Sequence, residues 1–334
     1  MARIDTLGNF LTDVAEAIRE KEGTTETIPA SEFDTRISNL SGGGSSGGKY
    51  APKHISFAGY KGTDLEYELS NIDTSNITSF EGMFESCSAI NNLDLSQYGW
   101  NTSNVTTAKS MFSSASNLIN INLNGLDFSK VTNISYMFNA CNRLGTVDLS
   151  ALNLNSVTDA SYMFRSSFSS SQGKIILPNM FKVTNMTNFC AGSSNVQVKE
   201  VDISNAGSSS AGVGRLDNAF YKCVAVTNIN LTNVNVANVT NFSQAFSSCK
   251  LLTTLDLSSF NPTNATNLQS MFNGCNALMH LDMRNFDFTK ATSYGYVFQG
   301  IPVDCEIIVK DETNKEWVLA RRSDFTNVKT VAEL

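Results

Sequence analysis

The sequence predicts an α/β solenoid, a rod of stacked coils in which each coil of about 26 residues contributes one short parallel strand. A small helical module is predicted to precede the rod. Three observations lead to this prediction. A segment with the pattern V-T-x-x-x-x-M-F recurs in phase along the chain, and each copy is followed by an apolar–polar–apolar stretch such as L-D-L. The chain is also 41% hydrophobic with 21 phenylalanines, so its 41 serines, 37 asparagines and 29 threonines do not indicate disorder.

The repeat keeps a nearly constant period. Its first apolar residues are separated by 26 residues in most copies, and by 28 or 30 in two. These residues are Ile77, Val105, Val131, Val157, Val183, Val213, Val239, Ala265 and Ala291. A phenylalanine stands seven residues later in each copy except one, where Cys190 takes its place. A fixed period of this length is typical of a solenoid, because each unit buries its apolar face against its neighbours.

Each coil is expected to contain one strand and one helical turn. In the L-D-L stretch of residues 93–95 and its counterparts, the alternation points one side of the strand inward. Strands from successive coils should therefore form a parallel sheet with neighbours about 4.8 Å apart. In the copy at 131–138, apolar residues recur at i, i+3, i+6 and i+7. This spacing predicts a short helical turn packed behind the sheet.

Two stretches identify the type of repeat. Residues 73–78 read D-T-S-N-I-T, and residues 271–278 read M-F-N-G-C-N-A-L. They match almost letter for letter the BspA-type (DUF285-like) leucine-rich repeat, and the chain resembles this family over about residues 64–310. The resemblance implies a leucine-rich-repeat solenoid with an adhesive or protein-binding surface. It departs from the pattern between Phe168 and Val213, where we expect the coils to be less regular.

Residues 1–40 have the pattern of a different, helical module. Their apolar residues recur at helical spacing in two short stretches, and two helices of this size cannot bury their own faces. The residues predicted to attach to a partner are Leu7, Phe10, Leu11, Val14, Ile18, Phe33 and Ile37. Residues 7–33 are similar to an N-terminal segment of phage minor tail and fibre proteins from Gram-positive hosts, which implies attachment to a tail or baseplate. The alternative is a helical hairpin that caps the rod or forms a homo-oligomer.

The remaining boundaries follow from composition. Residues 41–50 are mostly glycine and serine, which predicts a flexible linker. The solenoid is predicted over residues 51–305. Charged residues return in residues 306–334, where we expect the polar cap that the end of a solenoid requires.

A column of cysteines could form a metal site or could fill the core as buried, reduced side chains. Five cysteines stand three residues after the repeat phenylalanine: Cys87, Cys141, Cys223, Cys249 and Cys275. A metal site would require Cys-x-x-Cys pairs or interleaved histidines, and the chain has only two histidines. Ala115 and Ser167 occupy equivalent positions, which favours small, reduced, buried side chains. We therefore predict no metal and no cofactor.

A column of aspartates could likewise have a chemical role or a structural one. Asp94, Asp148, Asp202, Asp256 and Asp282 occupy the middle of the strand pattern. They could bind calcium or act as paired catalytic carboxylates. Acid–base catalysis, however, requires two environments that separate the pKa values, and stacked repeats give these carboxylates similar environments. We expect structural or ligand-facing roles and no catalytic residues.

Two further columns are candidates for ligand binding. Phe128, Leu154 and Met180 stand three positions before the repeat valine, and Tyr136 and Tyr162 stand five positions after it. If both columns are exposed, they form an apolar, aromatic patch of the kind that marks an interaction surface. Aromatic faces rimmed by asparagine and serine suit poorly charged ligands such as cell-wall glycans. The alternative is that these side chains pack against neighbouring coils.

Charge and hydropathy exclude two classes of function. The net charge of −7 argues against nucleic acid as a partner, because a phosphate-binding surface is basic. No run of 18 apolar residues is present, which argues against membrane insertion. The first residues also contain no apolar signal region, so we expect synthesis in a bacterial host cytoplasm without export by a signal peptide.

Together these features predict a non-enzymatic adhesion or receptor-binding protein of a phage tail or fibre, located on the virion. Residues 1–40 would bind tail or baseplate proteins, and the solenoid would bind a glycan or protein of the host surface. The alternative is a bacterial cell-surface adhesin of the BspA type, which should carry an export signal and an anchor. A glycan-degrading tail-spike enzyme is a third possibility, and it would need a carboxylate pair in a cleft.

Overall fold

The structure is a computed structural model that describes residues 55–60, 65–70, 72–169, 173–192 and 196–334. The predicted helical module at 1–40 and the linker at 41–50 lie outside the described residues. Within them, the chain is a parallel β-solenoid with about 26 residues per coil and little helix. The predicted fold class is confirmed.

The strands are short, with one in each coil. They are β1 (Asn92–Asp94), β2 (Asn120–Asn122), β3 (Val147–Asp148), β4 (Lys174–Ile176), β5 (Glu200–Asp202), β6 (Asn228–Asn230), β7 (Thr254–Asp256), β8 (His280–Met283) and β9 (Glu306–Val309). Each residue pairs with its repeat equivalent, as Leu255 does with Leu281. In this register, inward-facing side chains of one coil stack on inward-facing side chains of the next. A register shift of one residue would turn the apolar side chains of a strand outward. The strands form three hydrogen-bonded groups, β1–β2, β3–β6 and β7–β9, and the last group is extended by β10 (Val328–Thr330).

The segment after each repeat valine is not the predicted helical turn. It is a run of β-turns in which some residues are left-handed, such as Tyr136 with φ 58°. The Tyr136 N–H donates to the Ser161 carbonyl of the next coil at 3.0 Å, and the Phe138 N–H donates to the Met163 carbonyl at 2.8 Å. A left-handed residue stops a right-handed helix from continuing, so alternate N–H groups bond to the next coil instead. We call residues 133–140 and their equivalents the turn segments; they form a second backbone ladder along the rod.

Stacked phenylalanines fill the core behind the turn segments. Ring centroids of stacked neighbours lie between 5.2 Å, for Phe112 and Phe138, and 6.1 Å, for Phe272 and Phe298. The buried column comprises Phe84, Phe112, Phe138, Phe164, Phe220, Phe246, Phe272 and Phe298. In the coil where Cys190 replaces the phenylalanine, the preceding residue, Phe189, supplies the buried ring. It packs edge-on against Phe164, with ring centroids 5.5 Å apart. The irregular stretch therefore keeps a filled core but interrupts the stack.

The C-terminal residues cover the last coil. Helix α1 (Leu65–Ser70) precedes the strands, and helix α2 (Glu312–Leu319) and strand β10 (Val328–Thr330) follow β9. Helix α2 begins after Asp311, whose carboxylate accepts a hydrogen bond from the Asn314 N–H at 3.0 Å. Trp317 stacks on Phe288 with 4.8 Å between ring centroids, and β10 pairs with β9. Short 3-10 helices lie at Ser96–Tyr98, Phe288–Lys290 and Val331–Glu333.

Candidate functional site

One of the two predicted ligand-binding columns lies in the core. Phe128, Leu154 and Met180 are each at most 1% exposed, so the expectation that they form a surface patch is wrong. The position turns inward because its carbonyl closes a turn with the repeat valine, as in the 2.9 Å hydrogen bond from the Val131 N–H to the Phe128 carbonyl. Two other coils carry threonine at the same position, Thr74 and Thr102, a residue type that is mostly exposed in proteins.

Those threonines are buried as well. Thr102 is 1% exposed, and its hydroxyl accepts a hydrogen bond from the Asp127 N–H at 2.6 Å. The hydroxyl oxygen also lies 3.2 Å from the Asp127 carbonyl, to which it donates. A satisfied threonine can occupy a core position because both of its hydrogen-bonding roles have partners. The polar residue type was therefore a misleading signal for this column.

The other column presents an aromatic pair at the surface. Tyr136 and Tyr162 are half-buried, and their rings stack 4.6 Å apart with only 4° between the planes. We call these two residues the tyrosine pair. The separation is close to the spacing of adjacent coils, so the rings are stacked along the rod. The structure therefore supports exposure for this part of the predicted patch, whereas its ligand-binding role stays a prediction.

The tyrosine pair is held in an unfavourable backbone conformation. Both residues are left-handed, with φ of 58° and 59°. Positive φ recurs at the equivalent position of every other coil, which carries Gly82, Ser110, Asn188, Asn218, Gln244, Ser270 or Tyr296. Glycine and asparagine adopt this conformation readily, whereas for a bulky residue it costs about 1–2 kcal/mol. Strain of this kind often occurs where a side chain must be presented to a ligand.

Small and charged side chains border the tyrosine pair. Because Gly82 and Ser110 are small, the ring face of Tyr136 that points toward the first coils is not covered by an equivalent side chain. The guanidinium of Arg165 lies 5.7 Å from the ring centroid of Tyr162. The Nζ of Lys109 lies 2.9 Å from the Oε1 of Glu81, and the hydrogen bond between them raises the pKa of Lys109. The result is an aromatic face beside paired charges, suited to a polar but weakly charged ring such as a sugar.

The outward face of the sheet contains a second candidate, a groove of about 440 Å³ between β4 and β7. It lies where β6 and β7 share no ladder. Four of its polar side chains are already paired with one another. Lys174 Nζ lies 2.7 Å from Glu200 Oε2, and Asn230 Nδ2 donates to Asp202 Oδ2 at 3.1 Å. A ligand here would have to replace these contacts, so the tyrosine pair is the better candidate.

The aspartate column stabilises turns at the ends of the strands. Asp94 and Asp148 each accept a hydrogen bond from the N–H two residues later, both at 2.9 Å. The hydrogen bonds from Ser96 and Ser150 hold the pKa values of these two carboxyls below their ordinary value. General acid–base catalysis requires one raised and one low pKa, and these two carboxyls shift in the same direction. Their observed contacts are those of Asx-turns.

The cysteine column donates to the backbone of the preceding coil. Cys141 Sγ lies 3.0 Å from the Phe112 carbonyl, and Cys275 Sγ lies 3.1 Å from the Phe246 carbonyl. Burial raises the pKa of both thiols to about 12, which suppresses the thiolate that metal binding and nucleophilic attack require. Ser167 makes the same contact with the Phe138 carbonyl. Within the described residues, His, Cys, Asp and Glu side chains form no group of three or more that could hold a metal ion.

The helices of the described ranges include none with the length and apolar character that crossing a bilayer requires.

The repeat matches the model of a known protein family. The model of the family described as "Mycoplasma protein of unknown function, DUF285" matches residues 54–144, 98–205 and 184–307. These overlapping matches cover the strands β1–β8, the turn segments and the tyrosine pair. Comparison with curated proteins and with solved structures returned no match. A repeat solenoid of this kind is compatible with an adhesive or protein-binding function. The chain belongs to the DUF285 family.

Proposed function

We propose that this chain is a non-enzymatic adhesion protein whose solenoid binds a bacterial cell-wall glycan through the tyrosine pair. The observation that carries the proposal is the stacked, partly exposed pair at 4.6 Å, held at positive φ where most other coils place glycine, serine or asparagine. Nothing in core packing requires tyrosine at this position, since glycine, serine, asparagine and glutamine occupy it elsewhere. A stacked, partly exposed aromatic pair offers a surface on which a sugar ring can pack.

The finer proposal is that the protein belongs to a phage tail or fibre. Its support is the similarity of residues 7–33 to the N-terminal segment of phage minor tail and fibre proteins. In this arrangement, residues 1–40 attach to the tail or baseplate and the solenoid meets the host surface. Antibody labelling of particles purified from the source strain tests this placement. Labelling of the cell envelope and not of the particles would favour the BspA-type surface adhesin instead.

The tyrosine pair can be tested with a substitution that the repeat itself provides. Replacing Tyr136 and Tyr162 together with asparagine introduces a residue that the chain already carries at this position in Asn188, with φ 53°. Because asparagine tolerates the left-handed conformation, we expect the melting temperature to stay the same or to rise. Binding to purified Gram-positive cell walls, measured by co-sedimentation, should fall by about tenfold or more, a loss of about 1.4 kcal/mol.

Tyr221→Asn is the matched control, because Tyr221 is a partly exposed tyrosine on the turn segment of another coil, where it contacts Lys222. This variant should bind cell walls as the wild type does. If the double variant keeps wild-type affinity, the tyrosine pair is not the binding site. If the wild-type chain does not sediment with the walls at all, the glycan proposal is wrong.

A further inference from the structure

The last turn segment of the rod ends in an unpaired row of N–H donors. In the preceding coil, alternate N–H groups donate to the following coil, as Ser270 does to the Gly295 carbonyl at 2.8 Å and Gly274 to the Gln299 carbonyl at 2.7 Å. The equivalent donors of the last turn segment are the N–H groups of Tyr294, Tyr296, Phe298 and Gly300. Across the described ranges, none of these four N–H groups has a hydrogen-bond acceptor. We call these four donors the open edge.

The two sides of the rod end differently. On the strand side, β10 adds to β9 and continues the ladder past the last coil. On the turn side, none of the described backbone continues the ladder past the open edge, and a groove of about 630 Å³ lies beside it. The opposite end of the turn ladder is covered, since the Phe57 N–H donates to the Met83 carbonyl at 2.6 Å and the Gly59 N–H to the Glu85 carbonyl at 2.7 Å.

The groove beside the open edge is aromatic and positively charged. Tyr296 is 66% exposed. The guanidinium of Arg321 lies between the ring of Tyr294, at 4.3 Å from the centroid, and that of Trp317, at 3.8 Å. Its Nη1 donates to the Trp317 carbonyl at 2.9 Å, and its Nε is buried without a hydrogen-bond partner. Arg322 also lines the groove, but its guanidinium is paired with Asp324 at 2.7 Å. Among the residues that the structure describes, Arg321 thus has no acidic partner and is a fixed cation at this groove.

We propose that the open edge binds an acidic polypeptide segment of a partner protein that adopts the conformation of a turn segment. Four N–H groups at alternate positions match the carbonyl oxygens at alternate positions of a further turn segment of about seven residues, which is how each coil receives the next. A carboxylate on that segment would neutralise Arg321, and its apolar side chains would pack on Tyr296. The occupant takes the place of one more turn segment, so affinity comes from main-chain hydrogen bonds and selectivity from charge. This site is separate from the tyrosine pair and does not depend on the adhesion proposal.

A peptide that copies a turn segment of the chain is a suitable probe. Residues 77–87 read I-T-S-F-E-G-M-F-E-S-C and carry two glutamates; a fluorescein-labelled peptide with serine in place of the last cysteine keeps them. We expect saturable binding to the full chain by fluorescence anisotropy, with no binding of a scrambled peptide. A peptide with both glutamates changed to lysine should bind at least about tenfold more weakly. Equal binding of all three peptides would overturn the proposal.

Amide hydrogen exchange on the wild-type chain locates the site without a substitution. Saturating peptide should slow exchange in residues 294–300 and leave β4–β7 unchanged. The variant Arg321→Glu should lose at least about tenfold in affinity, and Lys250→Glu, which reverses an exposed charge elsewhere on the rod, should bind as the wild type does. Unchanged exchange at 294–300, or slowing confined to the strand face, would contradict the proposal even if Arg321→Glu failed to fold.

Discussion

Replacing Phe138 with alanine should lower the free energy of unfolding by about 3–5 kcal/mol, the usual cost of removing a fully buried aromatic ring. Phe138 is 0% exposed and stacks on Phe112 at 5.2 Å and on Phe164 at 5.3 Å. The substitution leaves a cavity between two rings of the column and removes both stacking contacts. Because each coil of a solenoid contacts only its neighbours, we expect the damage to be greatest in the adjoining coils.

Urea denaturation followed by circular dichroism measures this loss. Phe181→Ala is the matched control, because Phe181 is 42% exposed and its removal should change stability by less than about 0.5 kcal/mol. Hydrogen exchange should accelerate around residues 112–164 more than in β8 and β9. A loss below about 1 kcal/mol for Phe138→Ala would contradict the account of the core as a continuous aromatic column.

The second large effect is expected at Gly173, where two coils approach closely. A Cβ at Gly173 would lie 2.0 Å from the carbonyl oxygen of Gly145 and 2.8 Å from a ring carbon of Phe168. The oxygen belongs to the backbone of the neighbouring coil and cannot rotate away, so the coils would have to separate. We expect Gly173→Ala to destabilise the protein by about 3 kcal/mol or more, the upper range for overpacking.

Gly214→Ala is the control variant, because it measures the effect of replacing a glycine by alanine on stability without the close contact at Gly173. The nearest atom to a Cβ at Gly214 is the Thr184 carbonyl oxygen at 3.4 Å, an ordinary contact. This variant should unfold within about 0.5 kcal/mol of the wild type. Thermal and urea denaturation of both variants test the comparison. Similar stabilities for Gly173→Ala and Gly214→Ala would show that the approach of the two coils is looser than the structure has it.

The period of the repeat made most of the fold predictable. A constant spacing of 26 residues and the alternation in L-D-L fix which residues pair, and Leu255 and Leu281 are indeed partners in a parallel ladder. The prediction of a helical turn was wrong because the spacing of Val131, Ile134 and Phe138 fits either a helix or a run of β-turns. The distinguishing signal was glycine, asparagine or serine five positions after the first apolar residue in five of the nine copies, because these residues occur often at left-handed turn positions.

The candidate sites were only partly predictable. Tyr136 and Tyr162 could be placed on one column from the period alone, but not their exposure, because Phe128 and Leu154 followed the same kind of pattern and are buried. Whether a column faces inward depends on the local turn and not on the spacing. The open edge, which includes the Tyr296 N–H, was not predictable either. It depends on how the chain after the last coil covers the strand side and leaves the turn side free, which no repeat encodes.

The central claim is that the rod binds a cell-wall glycan without cleaving it. The most direct test is to incubate the full chain with purified Gram-positive cell walls and to measure both the sedimented protein and the reducing ends released into solution. We expect saturable sedimentation, with reducing ends no higher than in walls alone. Release of reducing ends that rises with time and protein concentration, or the absence of sedimentation, would contradict it.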